Sequence, residues 1–369
     1  MNRGIIVTLA AVVIVGMLAL YALKQGPVLL LQPPSEDRIA FISDRGGSPD
    51  IWTMKTDGSD AKQVTNDSAD DLMPSWSPDA KQIVSISDRR NQTYQVFVAA
   101  WDGRYVRCIT SSEATKDMPV WSSDGREITF ISGGKVSGVR SSGGREEQYL
   151  PKSSMPSAAM SESIRFRFGA WSHAKKYFFY VRETDRGKEV YGADKAQMVS
   201  DEDSDTPGEP KPVGVGITMA RSLDVAVAPR KAEIAVSFIG REGQNGILIG
   251  DIAGVTARDA YVFPDDKLAP GKLVWSPDGK RIAFEVWTLE DGTPNMPIGI
   301  YTVKASGGKP RVIMKGDARE PTWSPDGKQL ACTVILEKRD IWRINADGTG
   351  ATNLTKGEGD SYNPAWSPR

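Results

Sequence analysis

Histidine is almost absent from this 369-residue chain and cysteine is nearly so: His173 stands alone, and Cys108 and Cys332 are the only two thiols. That supply excludes a zinc site built from His and Cys. A Ser-His-Asp or Cys-His device would have to use His173, which occupies a turn position where other parts of the chain carry Pro. No Gly-x-Ser-x-Gly elbow accompanies it. The chain also lacks a Gly-x-x-x-x-Gly-Lys phosphate loop. Charge of one sign is missing too: 46 Lys and Arg against 47 Asp and Glu leave no basic excess to hold nucleic acid. The Asp-Gly pairs lack a Glu at calcium-loop spacing and read as turns, while rim carboxylates that could pair for glycoside hydrolysis stay open.

What the chain has in abundance is one repeated stretch. Trp275-Ser276-Pro277-Asp278-Gly279-Lys280-Arg281-Ile282-Ala283-Phe284 returns nearly unchanged at Trp323 and in weaker form at Trp76, Trp121, Trp171 and Val227. A cut-off copy follows at Trp366. These anchors lie 43 to 56 residues apart, the spacing of an array or propeller. Pro277 pre-sets φ for a turn and Gly279 supplies its left-handed residue. Ile282, Phe284 and Val286 then alternate with small Ala283, as in a strand packed between two sheets. A third run (Asp50-Ile51-Trp52, Asp340-Ile341-Trp342), an Asp-Gly turn and a short fourth run (Val64-Thr65, Ile109-Thr110, Leu354-Thr355) complete four antiparallel strands, one propeller blade.

The ends are complementary. Ile39-Ala40-Phe41 begins a unit that lacks its first strand, and Asn363-Pro364-Ala365-Trp366-Ser367 is nothing but a first strand. Joining them closes a ring without an exposed edge. The expectation is an all-β, seven-bladed β-propeller over residues 36–369, with six blades as the alternative. In that ring Cys108 and Cys332 sit in separate blades, as two small buried hydrophobes and no disulfide.

Ile5 to Leu23 form an apolar run long enough to span a bilayer, flanked by Arg3 and Lys24, with no lipobox cysteine and no small-x-small cleavage site. An N-terminal transmembrane signal anchor followed by a Pro-bearing tether is expected over residues 1–35. It would leave the propeller on the extracytoplasmic side, periplasmic or extracellular, as a monomeric ring. Residues 151–163 and the acidic stretch in 200–212 read as polar loops.

Acids precede several blade anchors: Asp71 before Pro74, Asp117 before Pro119, Glu320 before Pro321 and Asp360 before Pro364. These connections gather on one face of a propeller, so Asp71, Asp117, Glu320 and Asp360 are the candidate partner-binding residues. They would form an acidic mouth for a cationic group, a metal ion or a basic segment. No catalytic residue and no cofactor is assigned, although a divalent cation in the central channel is allowed.

The chain resembles the TolB-like, WD-related propeller family, through Pro74-Ser75-Trp76-Ser77-Pro78-Asp79, Pro321-Thr322-Trp323-Ser324-Pro325-Asp326-Gly327-Lys328, Asp340-Ile341-Trp342 and Leu354-Thr355. The resemblance covers about residues 36 to 369. It implies a propeller and leaves function broad, since such blades serve envelope scaffolds, peptidase lids and some polysaccharide lyases. The favoured expectation is a non-enzymatic ring that binds an envelope protein or polysaccharide. The alternative is a lyase or glycosidase-like enzyme with its site in the channel mouth.

Overall fold

The Ser-Pro-Asp-Gly turn is held by its own side chains. Ser276 Oγ donates to Asp278 Oδ1 at 2.6 Å and accepts from Arg281 N at 2.9 Å, while Gly279 takes φ 68°. Ser77, Ser122 and Ser324 repeat the serine-to-aspartate bond with Asp79, Asp124 and Asp326. The turn therefore forces a hairpin wherever the motif recurs. A second device pins each outer strand. Thr65, Thr110 and Thr355 hydroxyls donate to Asp50, Gln95 and Asp340, and accept the N–H of Ile51, Val96 and Ile341.

The computed structural model describes residues 31–368 apart from residues 134, 149–164, 172–176, 185–186, 195–210, 213–223, 232, 241–243 and 252–255. These residues form seven four-stranded antiparallel sheets, an all-β propeller. The innermost strands are Ser361–Trp366 of sheet 1, Asp71–Trp76 of sheet 2, Lys116–Trp121 of sheet 3, Arg165–Trp171 of sheet 4, Val225–Val227 of sheet 5, Leu268–Trp275 of sheet 6 and Ala318–Trp323 of sheet 7. Each touches the innermost strand of the next sheet, and the last touches the first.

Sheet 1 joins the two ends of the chain. Strand Ser361–Trp366 pairs with Arg38–Ser43, with Ile39 opposite Trp366 and Ser43 opposite Ser361. The turn motif is completed across this join, since Arg38 N donates to Ser367 Oγ at 2.9 Å and Ser367 N to Arg38 O at 2.8 Å. The expected closure by complementary half-units is what the structure has.

The core lies between sheets. Phe284, Ile282 and Val286 pack with Ala235, Ile247 and Ile249 of sheet 5, whereas Ala283 faces Trp323, Leu330 and Ile344 of sheet 7. Ile39, Phe41 and Met54 of sheet 1 meet Ala331, Ile341 and Leu354 of sheet 7. Fully burying each such side chain contributes about 1.5–3 kcal/mol before entropy is counted. The inner tryptophans add a specific tie. Trp76, Trp121, Trp275 and Trp323 donate from Nε1 to the carbonyls of Ala365, Ser75, Ala226 and Val274 on the preceding inner strand.

Among the described residues no helix is long and apolar enough to cross a membrane. The anchor expected over residues 5–23 lies outside them, as do His173, residues 151–163 and the acidic loop Asp201–Asp205.

Candidate interaction face

Strand alternation sorts the connections onto two faces. The turns after first and third strands, such as Ser77–Lys81 and Trp101–Arg104, open on a lower face. The loops after second strands and the connections into each new inner strand open on an upper face. All four candidate acids stand at the upper end of inner strands. They do not share one register: Asp71 begins its strand, Asp117 is second in its strand, Glu320 third, and Asp360 precedes Ser361.

Each of these strands carries a bulge at the same place, and the acids stand at different distances from it. Register slips between Leu72 and Ser75, Asp117 and Val120, and Arg319 and Thr322, and Met73, Met118, Glu320 and Asn363 take φ of 51° to 59° just before a proline. A bulge exposes a backbone N–H that the ladder cannot satisfy, so a side chain must take it. Met118 N goes to Asp117 Oδ1 at 2.8 Å. Glu320 N goes to Glu285 Oε1 at 2.7 Å, and Asn363 N to Glu320 Oε2 at 2.7 Å. Leu273 N is similarly held by Asp224 Oδ2 at 2.6 Å. Asp224, Glu285 and Glu320 thus stitch sheets 5 to 6, 6 to 7 and 7 to 1 along the inner ring.

The remaining acids are matched by arginines. Asp71 is fully buried, and Arg89 Nη2 lies 2.8 Å from both of its carboxylate oxygens while also reaching Asp67 at 2.7 Å. Asp360 accepts from Arg339 N at 2.9 Å and Nη2 at 3.0 Å, two bonds that hold its carboxyl below the usual range. Each arginine is stacked: Arg89 on Phe97, Arg339 on Tyr362, Arg319 on Trp287, and Arg45 on Phe41 and Trp52. The mouth is therefore a lattice of paired charges in which only part of the acid set is free to meet a partner.

Sequence reasoning passed over the arginines. Their signal is a second repeat, Ser43-Asp44-Arg45 and Ser87-Asp88-Arg89, in which serine Oγ accepts from the arginine Nε and the aspartate accepts the N–H of Asp360 or Asp70. Asp224 had no such signal. Burial pushes its carboxyl up to about 6, the bond from Leu273 N opposing the shift and nearby Glu285 reinforcing it.

Among the described residues no group of three or more His, Cys, Asp or Glu is arranged to hold a metal ion. Both cysteines are free, and burial pushes the Cys332 thiol up to about 12. Two large apolar side chains stand out on the upper face, Leu336 at 71% exposure and Met296 at 63%. Met296 belongs to a hairpin of sheet 6, Arg281–Glu290 with Thr293–Lys304, that is longer than the second and third strands of the other sheets.

A closed all-β ring with this turn chemistry defines a β-propeller of the Trp-Ser-Pro-Asp kind. Residues 32–161 match the family described as TolB beta propeller domain. A stretch of 85 residues is 39% identical to the Protein TolB homolog of Chlorobaculum tepidum, covering 23% of this chain and 18% of that protein. A stretch of 43 residues is 44% identical to the Tol-Pal system protein TolB of Anaeromyxobacter dehalogenans, covering 12% of this chain and 10% of that one. The matches thus span under a fifth of each of these two relatives. In fold, TolB from Acinetobacter baumannii superposes with a TM-score of 0.55 at 16% identity, over 90% of this chain and 67% of that one. An oligogalacturonate lyase in complex with manganese superposes with a TM-score of 0.60 at 9% identity, over 86% and 85%. At such identities these two show the fold alone. Repeat, fold and relatives together make the chain similar to the TolB-like propellers, the family match itself covering residues 32–161.

Proposed function

We propose that this protein is a membrane-anchored, extracytoplasmic binding ring without catalysis of its own. Residues 1–35 form its anchor and tether, and residues 36–369 a seven-bladed propeller. The blade count rests on the seven sheets and on the unbroken succession of inner-strand contacts. The ring engages an envelope protein, or an envelope polymer, through its upper face. TolB relatives, one of them named for the Tol-Pal system, support a protein partner.

The observation that carries this reading is the coincidence on one face of Leu336, Met296 and the long sheet-6 hairpin with the charged lattice of Asp360, Asp117, Arg339 and Arg89. Exposed apolar side chains bordered by paired charges are what a recognition surface offers. Asp71 and Glu320 act within it by holding its geometry, Asp117 and Asp360 by contact.

The test is capture of partners from detergent-solubilised membranes by wild-type protein and by Leu336→Glu and Met296→Glu variants. Loss of the captured species with both variants, at unchanged thermal midpoint, is expected. Capture indifferent to the upper face, or lost instead on substituting Arg126 and Lys328 of the lower face, would overturn the assignment.

A further inference from the structure

The path by which the chain enters the ring fixes which face is free. Leu31 is fully buried, and Trp101 Nε1 donates to Gln32 O at 2.9 Å. From there residues 33–37 run to the first paired residue, Arg38, along the lower face. A cavity of about 620 Å³ is lined jointly by Pro33, Glu36, Thr56, Asp79 and Pro368, which places the entering segment beside the turns of sheets 1 and 2. Glu36 is tied down by Lys55 at 2.8 Å. The entry is therefore built into the lower surface.

Chain length then limits the rest. Between Leu23, the end of the apolar run, and Leu31, the first described residue, stand residues 24–30. Seven residues reach at most about 25 Å in any conformation. An inner strand of six residues is about 20 Å long, so laying the upper face on the bilayer would take up nearly all of that reach in a fully extended tether, whereas laying the lower face there needs little of it. The lower turns raise no electrostatic objection to an anionic surface. Three of them carry their own counter-charge: Arg126 lies 3.7 Å from Asp124, Lys328 3.9 Å from Asp326, and Lys81 4.0 Å from Asp79.

We infer that the ring lies with its lower face against the bilayer surface and its upper face turned away, an orientation favoured by a short tether that enters from below. This rests on the anchor reading of residues 5–23 and adds to it a direction. It follows that a partner on the upper face approaches from the aqueous side, and that the lower turns are shielded by lipid.

The test uses the full chain carrying Cys108→Ser, Cys332 being fully buried. Single cysteines are placed on the lower face (Arg126→Cys, Lys328→Cys) or on the upper face (Leu336→Cys, Met296→Cys) and labelled with a fluorophore. The protein is reconstituted in phosphatidylcholine vesicles doped with a headgroup-nitroxide lipid, a short-range quencher. Lower-face probes should be quenched at least about threefold more than upper-face probes, given the tether limit. Inserting about twenty Gly/Ser residues after Gly26 should bring the two sets together, since a flexible linker of that length frees the ring to turn.

Equal quenching of the two faces in the parent protein, or stronger quenching of the upper one, overturns the orientation and leaves the anchor standing. A difference that survives the insertion overturns the tether as its cause. Failure of the protein to float with the vesicles overturns the anchor and the orientation with it.

Discussion

A carboxylate on this ring is worth what its neighbours make of it, and the acids of the mouth divide accordingly. Asp71 is buried against Arg89, so Asp71→Asn leaves a half-buried guanidinium short of its main partner, with Asp67 and Ser87 still in reach. The expected cost is about 1–3 kcal/mol in urea denaturation, against about 0–1 kcal/mol for Asp360→Asn, whose carboxylate is a third exposed. Equal effects would show that burial does not separate them. Asp224 behaves in the opposite sense, because its folded carboxyl is raised to about 6 by burial. The folded protein then binds that proton more tightly than the unfolded chain does. Its contribution is full in acid and is lost as pH rises from the ordinary Asp range through about 6. Asp224→Asn should remove that slope and raise stability at pH 7–8 by about 1–3 kcal/mol, since an amide oxygen can still accept from Leu273 N. Denaturation midpoints between pH 4 and 8 decide it; an unchanged slope counts against the assignment.

The element that matters most is the single strand Ser361–Trp366. It gives sheet 1 its inner edge, places Trp366 in the core between sheets 7 and 1, and returns Ser367 to the turn at Arg38. Removing residues 363–369 takes away the partners of Ile39 and Ala40, leaves Arg38–Ser43 paired on its inner side only through Ile42 and Ser43, and opens the ring. A fall in thermal midpoint together with concentration-dependent self-association is expected by calorimetry and sedimentation. A truncated chain that stays monomeric with its midpoint intact would mean that the ring does not depend on closure. The strands and turns are legible in the sequence because turn, alternation and strand length all repeat: Ser276, Pro277, Asp278 and Gly279 carry their own hydrogen bonds and φ values with them. The bulges are not legible there. Met73 and Asn363 are unlike in chemistry, and only the curvature of the inner strands puts both at positive φ.

For the whole molecule, the question is where the ring sits and what it meets. If Ile5 to Leu23 stays attached, the protein should remain in the membrane fraction through carbonate and high-salt washing, because burial of a spanning segment in lipid is insensitive to both. Recovery of soluble protein whose N-terminus lies beyond residue 23 would refute anchoring. The upper-face lattice predicts in turn that partner binding weakens with salt only modestly, since its carboxylates are already engaged by arginines or by backbone N–H groups.

By itself the sequence determined the blade and its repetition, because each depends on residues close in the chain, a turn that bonds to itself and an alternation of large and small side chains, and its two complementary half-units pointed to closure across the whole chain. It also placed the acids at one end of the inner strands, since alternation of direction is a matter of counting. Only the tertiary structure decided what those acids do. Arg89 reaches Asp71 from a loop eighteen residues on, and Glu320 takes the N–H of Asn363 on the next sheet. Such pairings depend on how sheets stack and where strands bulge, and neither is written in the local pattern of any one blade.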